Sequence, residues 1–167
     1  ILNYNSKEIW NSGGRINFFF GNFITRKKLG NSLNSSHELT EWFTGCCCLF
    51  KTKIFKDIGK LDERFFAYYE DVDFSLRLKK HGYKIGFTSK THIYHYESFS
   101  SISNNSKGGK LSPYIHYLNI RNHILILKKH SDLFNSFGTR IFQIFKIISY
   151  SIYFILRLRF IKLNMVY

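Results

Sequence analysis

The sequence predicts an α/β fold: a mixed sheet with flanking helices, followed by a helical tail. Three observations carry this. Residues 70–80 read as a helix, with acids at its start, bases at its end and a glycine just beyond. Residues 83–87 and 91–96 alternate apolar and polar side chains as short strands do. From residue 114 the apolar spacing is helical almost to the end of the chain.

Residues 1 to about 40 are rich in Asn, Ser and Gly, with turn points at Gly13, Gly14, Gly21 and Gly30. Apolar content there is confined to 16–20 and 23–24, which predicts irregular, loop-rich structure. Residues 41–50 read as a buried strand, apolar on both faces, and 52–58 as a short helix stopped by Gly59. Residues 61–69 carry an acidic pair and then Phe65, Phe66, Tyr68 and Tyr69, leading into the helix at 70–80. Glu70, Asp71 and Asp73 occupy its electropositive N-terminal end; Arg77, Lys79 and Lys80 occupy the opposite end, and Gly82 is the stop. A turn at 88–90 separates the two strands, 100–112 form a loop, and helices are expected at 114–129 and about 137–160. A few strands and the helix at 70–80 are expected to complete a sheet begun elsewhere. The division is therefore residues 1–112 for the α/β part and 113–167 for the tail.

At 167 residues and 44% hydrophobic, the chain suffices for the core of one domain. The net charge of +14 predicts attraction to nucleic acid, anionic lipid or phosphorylated small molecules. Lys, Asn, Ile, Phe and Tyr are abundant together, as an AT-rich coding bias would make them, and no nucleic-acid-binding motif is present, so no nucleic-acid partner is expected. The first residue is Ile, the methionine is Met165, and the opening lacks a signal-peptide pattern; the chain is expected to begin within a longer protein. Cys46, Cys47 and Cys48 are contiguous, and neighbours on a strand point to opposite faces. They are read as small buried thiols in a reducing, cytosolic compartment.

Glu70, Asp71 and Asp73 fall within four residues at a helix start, directly after aromatic side chains suited to stacking on a sugar-like face. Two readings stand side by side. Acids there gain about 0.3–1 kcal/mol from the helix dipole, and Asp73 can pair with Arg77 one turn on. Alternatively, the carboxylates are grouped for proton transfer. His95, on the following strand, is either a satisfied imidazole or a ligand.

Order and spacing shift the balance towards the second reading of the carboxylates. The stretch EWFTGCCCLFKTKIFKDIGKLDERFFAYYEDVDFSLRLKKHGYKIGFTSKTHIYHYESFSS resembles the second, acceptor-side half of the inverting glycosyltransferase family 2, of rhamnosyltransferase-like type and GT-A fold. The matching features are Thr44-Gly45-Cys46 turning into a strand, Ile58-Gly59 with Leu61-Asp62-Glu63, Glu70-Asp71-x-Asp73 with Arg77 on the same helix, and His95 with Ser98 and Ser100 beyond. Ile9-Trp10, Gly13-Gly14-Arg15, Tyr117 and Arg121-Asn122 extend the likeness to roughly residues 8–130.

The resemblance implies a partial GT-A-like (nucleotide-diphospho-sugar transferase) fold and transfer of a sugar, hexosyl or rhamnosyl, from a nucleotide-diphospho-sugar donor. The acceptor would be a glycan or lipid-linked sugar in cell-surface polysaccharide synthesis. Asp71 falls at the general base, with Glu70 and Asp73 shaping its pKa and orienting acceptor hydroxyls. Trp42, Thr44 and Gly45 fall at the sugar pocket. Asp62, Glu63 and Arg77 fall at further substrate contacts, as do Ser98 and Ser100. His95 falls where an imidazole serves a divalent cation, Mg2+ or Mn2+, whose main ligands are expected in an earlier nucleotide-binding half without counterpart here. The alternative is a non-catalytic, acceptor-binding accessory chain or remnant that needs a separate nucleotide-binding half.

From Arg121 onward there are eight Lys or Arg and one acid, Asp132. The tract 141–156 is apolar except for Gln143, Lys146, Ser149 and Ser151. It is shorter than the roughly 20 residues a spanning helix needs and carries a central lysine. It is expected either to lie on the inner membrane surface, with Arg157, Arg159 and Lys162 near lipid phosphates, or to pack in a core or oligomer. The implied location is cytoplasmic, peripheral at the cytoplasmic face of the membrane.

Overall fold

The computed structural model of the chain describes residues 1–27, 37–96, 112–156 and 163. They group into two compact units. The first takes the described residues of Ile1–Asn17, Asn22–Phe66 and Glu70–Glu97; the second takes those of Phe18–Gly21, Ala67–Tyr69 and Ser98–Tyr167.

The first unit holds three two-stranded ladders. Strand β1 (Leu2–Asn3) runs parallel to β6 (Tyr94–His95), β2 (Gly14–Asn17) antiparallel to β3 (Asn22–Thr25), and β4 (His37–Thr40) antiparallel to β5 (Ile85–Thr88). The loop-rich expectation for residues 1–40 is therefore corrected. Strands of two to four residues are too short for side-chain alternation to stand out in the sequence, and it is pairing that reveals them. The strands at 83–87 and 91–96 are present as β5 and β6, yet each pairs with an earlier strand rather than with the other. Gly14 shows why a glycine opens β2: the Trp42 indole lies where its Cβ would be.

The expected buried strand at 41–50 is a turn and irregular chain instead. Cys46, Cys47 and Cys48 are exposed, and so is Leu49. The physical reason is pairing: among the described residues the segment meets β2 only at the single Trp42–Gly14 bridge, and the Gly45 N–H is held by the Asp71 carboxylate rather than by a neighbouring backbone. The segment is anchored by its aromatics, Phe43 and Phe50 packing on Phe74 with ring centroids 6.2 and 5.4 Å away.

Helix α1 (Lys53–Ile58) stops at Gly59, whose φ of 80° suits glycine. A 3-10 turn (Glu63–Phe65) follows, capped by the Asp62 carboxylate, which accepts from Arg64 N–H at 3.1 Å. Helix α2 (Glu70–Lys80) has the limits the sequence predicts. It ends in a Schellman motif, Tyr83 N–H donating to the Leu78 carbonyl and Gly82 N–H to that of Lys79, with Gly82 at φ 76°. Phe74 and Leu76 are fully enclosed, and each such side chain stabilises by about 1.5–3 kcal/mol.

In the second unit, α3 (Pro113–Lys129) starts where Ser112 accepts from Ile115 N–H and Pro113 fits the first turn. Helix α4 (Ser136–Leu156) follows, and Leu118, Ile120, Ile126, Phe134 and Phe154 are buried in this unit. Gly138 packs against the Phe19 carbonyl, leaving no room for a side chain. The α4 helix has 21 residues and starts where the sequence predicts, with the apolar tract 141–156 as its larger part. By length and composition alone it could cross a membrane. Phe137, Ile141, Phe145, Ile148 and Ile152 are exposed along it at near-helical repeats. The expected loop at 100–112, apart from Ser112, and the tail beyond residue 156 lie outside the described residues, Leu163 excepted.

Candidate active site at the start of helix α2

The site is built on the first turn of α2, where backbone N–H groups face outward and favour negative charge. Asp71 accepts from the Gly45 N–H through Oδ2 at 2.9 Å and from the Val72 N–H through Oδ1 at 2.8 Å. Each carboxylate oxygen keeps a further lone pair. Ser75, one turn on, donates to the Asp71 carbonyl at 2.7 Å and accepts from Phe43 N–H at 3.3 Å. The loop carrying Trp42, Thr44 and Gly45 is thus stitched to α2 at two successive levels.

Burial lifts the Asp71 carboxyl above its ordinary range, while the N–H groups of Gly45 and Val72 pull it back. Glu70 is also lifted, first by burial and to a lesser degree by the Asp71 charge, against the pull of its own backbone N–H. Glu70 Oε2 is buried without a hydrogen-bond partner among the described residues. A Cβ placed on Gly45 would lie 3.7 Å from Glu70 Oε1 and 3.8 Å from Asp71 Oδ2. The absent side chain leaves the approach to both carboxylates open.

Asp73 is placed differently. It is fully buried and takes the Arg77 guanidinium through Nε at 2.8 Å. Arg77 in turn donates to the carbonyls of Ile58 at 2.7 Å and Lys60 at 2.8 Å, fastening the end of α1 to α2. This is the pairing that the four-residue spacing allows. Asp62 is engaged by Arg64, and Glu63 is exposed beside it. Thr44 Oγ1 reaches Cys46 Sγ at 3.7 Å, while Trp42 is buried with its Nε1 unpartnered among the described residues. His95 packs against Trp10, ring centroids 4.4 Å apart and the planes tilted by 51°. Among the described residues no three His, Cys, Asp or Glu side chains converge as a complete metal site would require. Ser98 and Ser100 lie outside the described residues.

Sequence reasoning missed the support of the aromatic run before Glu70. Phe66, Tyr68 and Tyr69 all have positive φ, a conformation costing of order 1–3 kcal/mol each for residues with side chains. In the second unit, Asn122 Nδ2 donates to the carbonyls of Ala67 at 2.7 Å and Tyr68 at 2.8 Å, and the Tyr69 ring stacks on His123. The only signal available was the Arg121-Asn122 pair, which carried no role.

The sequence profile of the glycosyl transferase family group 2 matches residues 10–110, more than half of the chain and the whole of the carboxylate site. The chain belongs to this family. Membership accords with an α/β architecture of small mixed ladders and helices. Among relatives of this family 2 chain, the N-acetylglucosaminyl-diphospho-decaprenol L-rhamnosyltransferase of Mycobacterium tuberculosis is 33% identical over 69 residues, which are 41% of this chain and 22% of that protein. The O-antigen biosynthesis protein RfbC of Myxococcus xanthus is 34% identical over 67 residues, 36% of this chain and 5% of that protein. The family 2 chain therefore matches less than a quarter of either relative's length. No solved structure matches it.

Proposed function

We propose that this chain forms the acceptor-side part of an inverting glycosyltransferase. It would move a hexosyl or rhamnosyl group from a nucleotide-diphospho-sugar to a glycan or lipid-linked acceptor during cell-surface polysaccharide synthesis. The observation that carries the reading is the pair of half-buried carboxyls, Asp71 and Glu70, beside the open backbone of Gly45. An acceptor hydroxyl is a poor nucleophile at neutral pH, so it must lose its proton as its oxygen bonds to the anomeric carbon. Asp71 takes that proton. Its raised pKa makes it a stronger base than an exposed aspartate. Glu70 Oε2, unpartnered and buried, accepts from a second acceptor hydroxyl and fixes the angle of attack. The bond to the nucleotide diphosphate breaks on the far side of the sugar, and the configuration inverts.

Asp73 and Arg77 hold α2 in place rather than meeting substrate, consistent with their burial and mutual ion pair. A divalent cation at the leaving diphosphate would take its ligands from outside the described residues. The lipid-linked acceptor gains support from the mycobacterial relative, whose name describes a decaprenol-linked diphospho-sugar, and from the exposed apolar stripe of α4, suited to the cytoplasmic surface of a membrane. The test is sugar transfer by the full chain supplied with nucleotide-sugar donor and lipid-linked acceptor. Asp71→Asn is expected to reduce kcat by about 10^2 to 10^4 with the fold intact by circular dichroism. Undiminished turnover in that variant would sink the assignment.

A further inference from the structure

The second unit contains a cavity of about 210 Å3 lined by Tyr69, His116, Asn119, Ile120, Lys146 and Tyr150. The Lys146 ammonium lies 2.7 Å from His123 Nδ1, and His123 Nε2 lies 2.7 Å from the Gly21 carbonyl. A carbonyl can only accept, so Nε2 carries the ring proton; an ammonium can only donate, so Nδ1 is bare. The ring is therefore neutral and does nothing to cancel the lysine charge. Among the described residues Lys146 forms no ion pair with a carboxylate. A cation drawn out of water without a counter-charge is costly, and one bond to an imidazole leaves two of its three N–H groups for the cavity it lines.

We propose that this cavity binds a phosphate group, with Lys146 as its counter-ion and the hydroxyl of Tyr150 as a flanking donor. The tetrahedral anion suits a space lined by an ammonium and two phenol side chains, Lys146 and Tyr150 from α4 and Tyr69 from the turn before α2. His123 acts as a positioning residue. Pinned by Gly21 and stacked on Tyr69, it holds the ammonium at the cavity by accepting a hydrogen bond from it. The site lies in a different unit from Asp71 and is tested without sugar transfer, so the failure of either assignment leaves the other standing. A phosphate could reach it on a lipid or on a soluble phosphoester, and the test separates the two.

The experiment is calorimetric titration of the full chain at physiological salt with inorganic pyrophosphate, farnesyl diphosphate and farnesol. Both diphosphates are expected to bind and farnesol not. Lys146→Met should weaken both diphosphates by about tenfold or more, the loss of a charged hydrogen bond. Lys146→Arg should retain binding. Lys128→Met, which removes an exposed cation that does not line this cavity, should leave it unchanged. Tighter binding of farnesyl diphosphate than of pyrophosphate assigns the phosphate to a lipid; equal affinity assigns it to a soluble phosphoester. Absence of diphosphate binding, or equal loss with Lys128→Met, overturns the proposal. A second readout needs no variant: pyrophosphate should slow acetylation of Lys146 in the unaltered chain, followed by mass spectrometry, and an unchanged rate there also overturns it.

Discussion

At the scale of single residues, three acids that the sequence places together at one helix end have parted company. Glu70 and Asp71 face the open glycine, and burial keeps both carboxyls above their ordinary range. A base must be ionised to work, so transfer should decline on acidification at a pH above that of an exposed carboxylate. The kcat–pH profile measures this, and an acid limb at the usual aspartate value would contradict it. Asp73 belongs to Arg77. Removing one partner of a buried pair strands the other charge, so Asp73→Ala should cost about 3–5 kcal/mol in urea unfolding, with Arg77's hold on the α1 carbonyls loosened as well. The difference between these acids was half legible. Spacing showed that Asp73 could reach Arg77, but only packing shows which carboxyl is fully enclosed. The three cysteines are the opposite case: their apolar neighbours argued for burial, and the lack of a pairing strand among the described residues leaves them exposed.

At the scale of elements, α2 was readable to its last residue because every local signal agreed: acids first, bases last, glycine beyond, apolar spacing between. The segment at 41–50 was not, since an apolar run becomes a strand only with a neighbour to bond, a fact no local window contains. The part of it assigned to the proposed site is the turn at Gly45. A methyl group there meets only ordinary contact distances, so Gly45→Ala should fold with little change in Tm. It should nevertheless raise KM for the acceptor, because the methyl occupies the approach to Glu70 and Asp71. A large drop in Tm instead would mean the glycine serves the backbone rather than the substrate. The strained turn before Glu70 was invisible for a different reason: Phe66, Tyr68 and Tyr69 are not residues whose identity announces positive φ.

For the whole molecule, the acid response should be set by His123. Burial, and then the Lys146 charge, hold its pKa down to about 4 from an ordinary 6.5, against the opposing pull of the Gly21 carbonyl. Between those two values the unfolded chain binds a proton that the folded second unit refuses. The stability involved is therefore complete above about pH 6.5 and is lost as the pH falls towards 4, by about 3 kcal/mol in all. Urea midpoints measured across that window should fall with pH, and His123→Gln should flatten the slope. The chain path has a consequence of another kind. Phe18–Gly21 and Ala67–Tyr69 belong to the second unit although the sequence around them belongs to the first. Asn122 and Gly138 are fitted to backbone supplied by those two short insertions. A gene crossover at residues 97–111 would give the helical hairpin the turns of a stranger, so recombination should rarely separate them, and the two ends of the chain should share one ancestry.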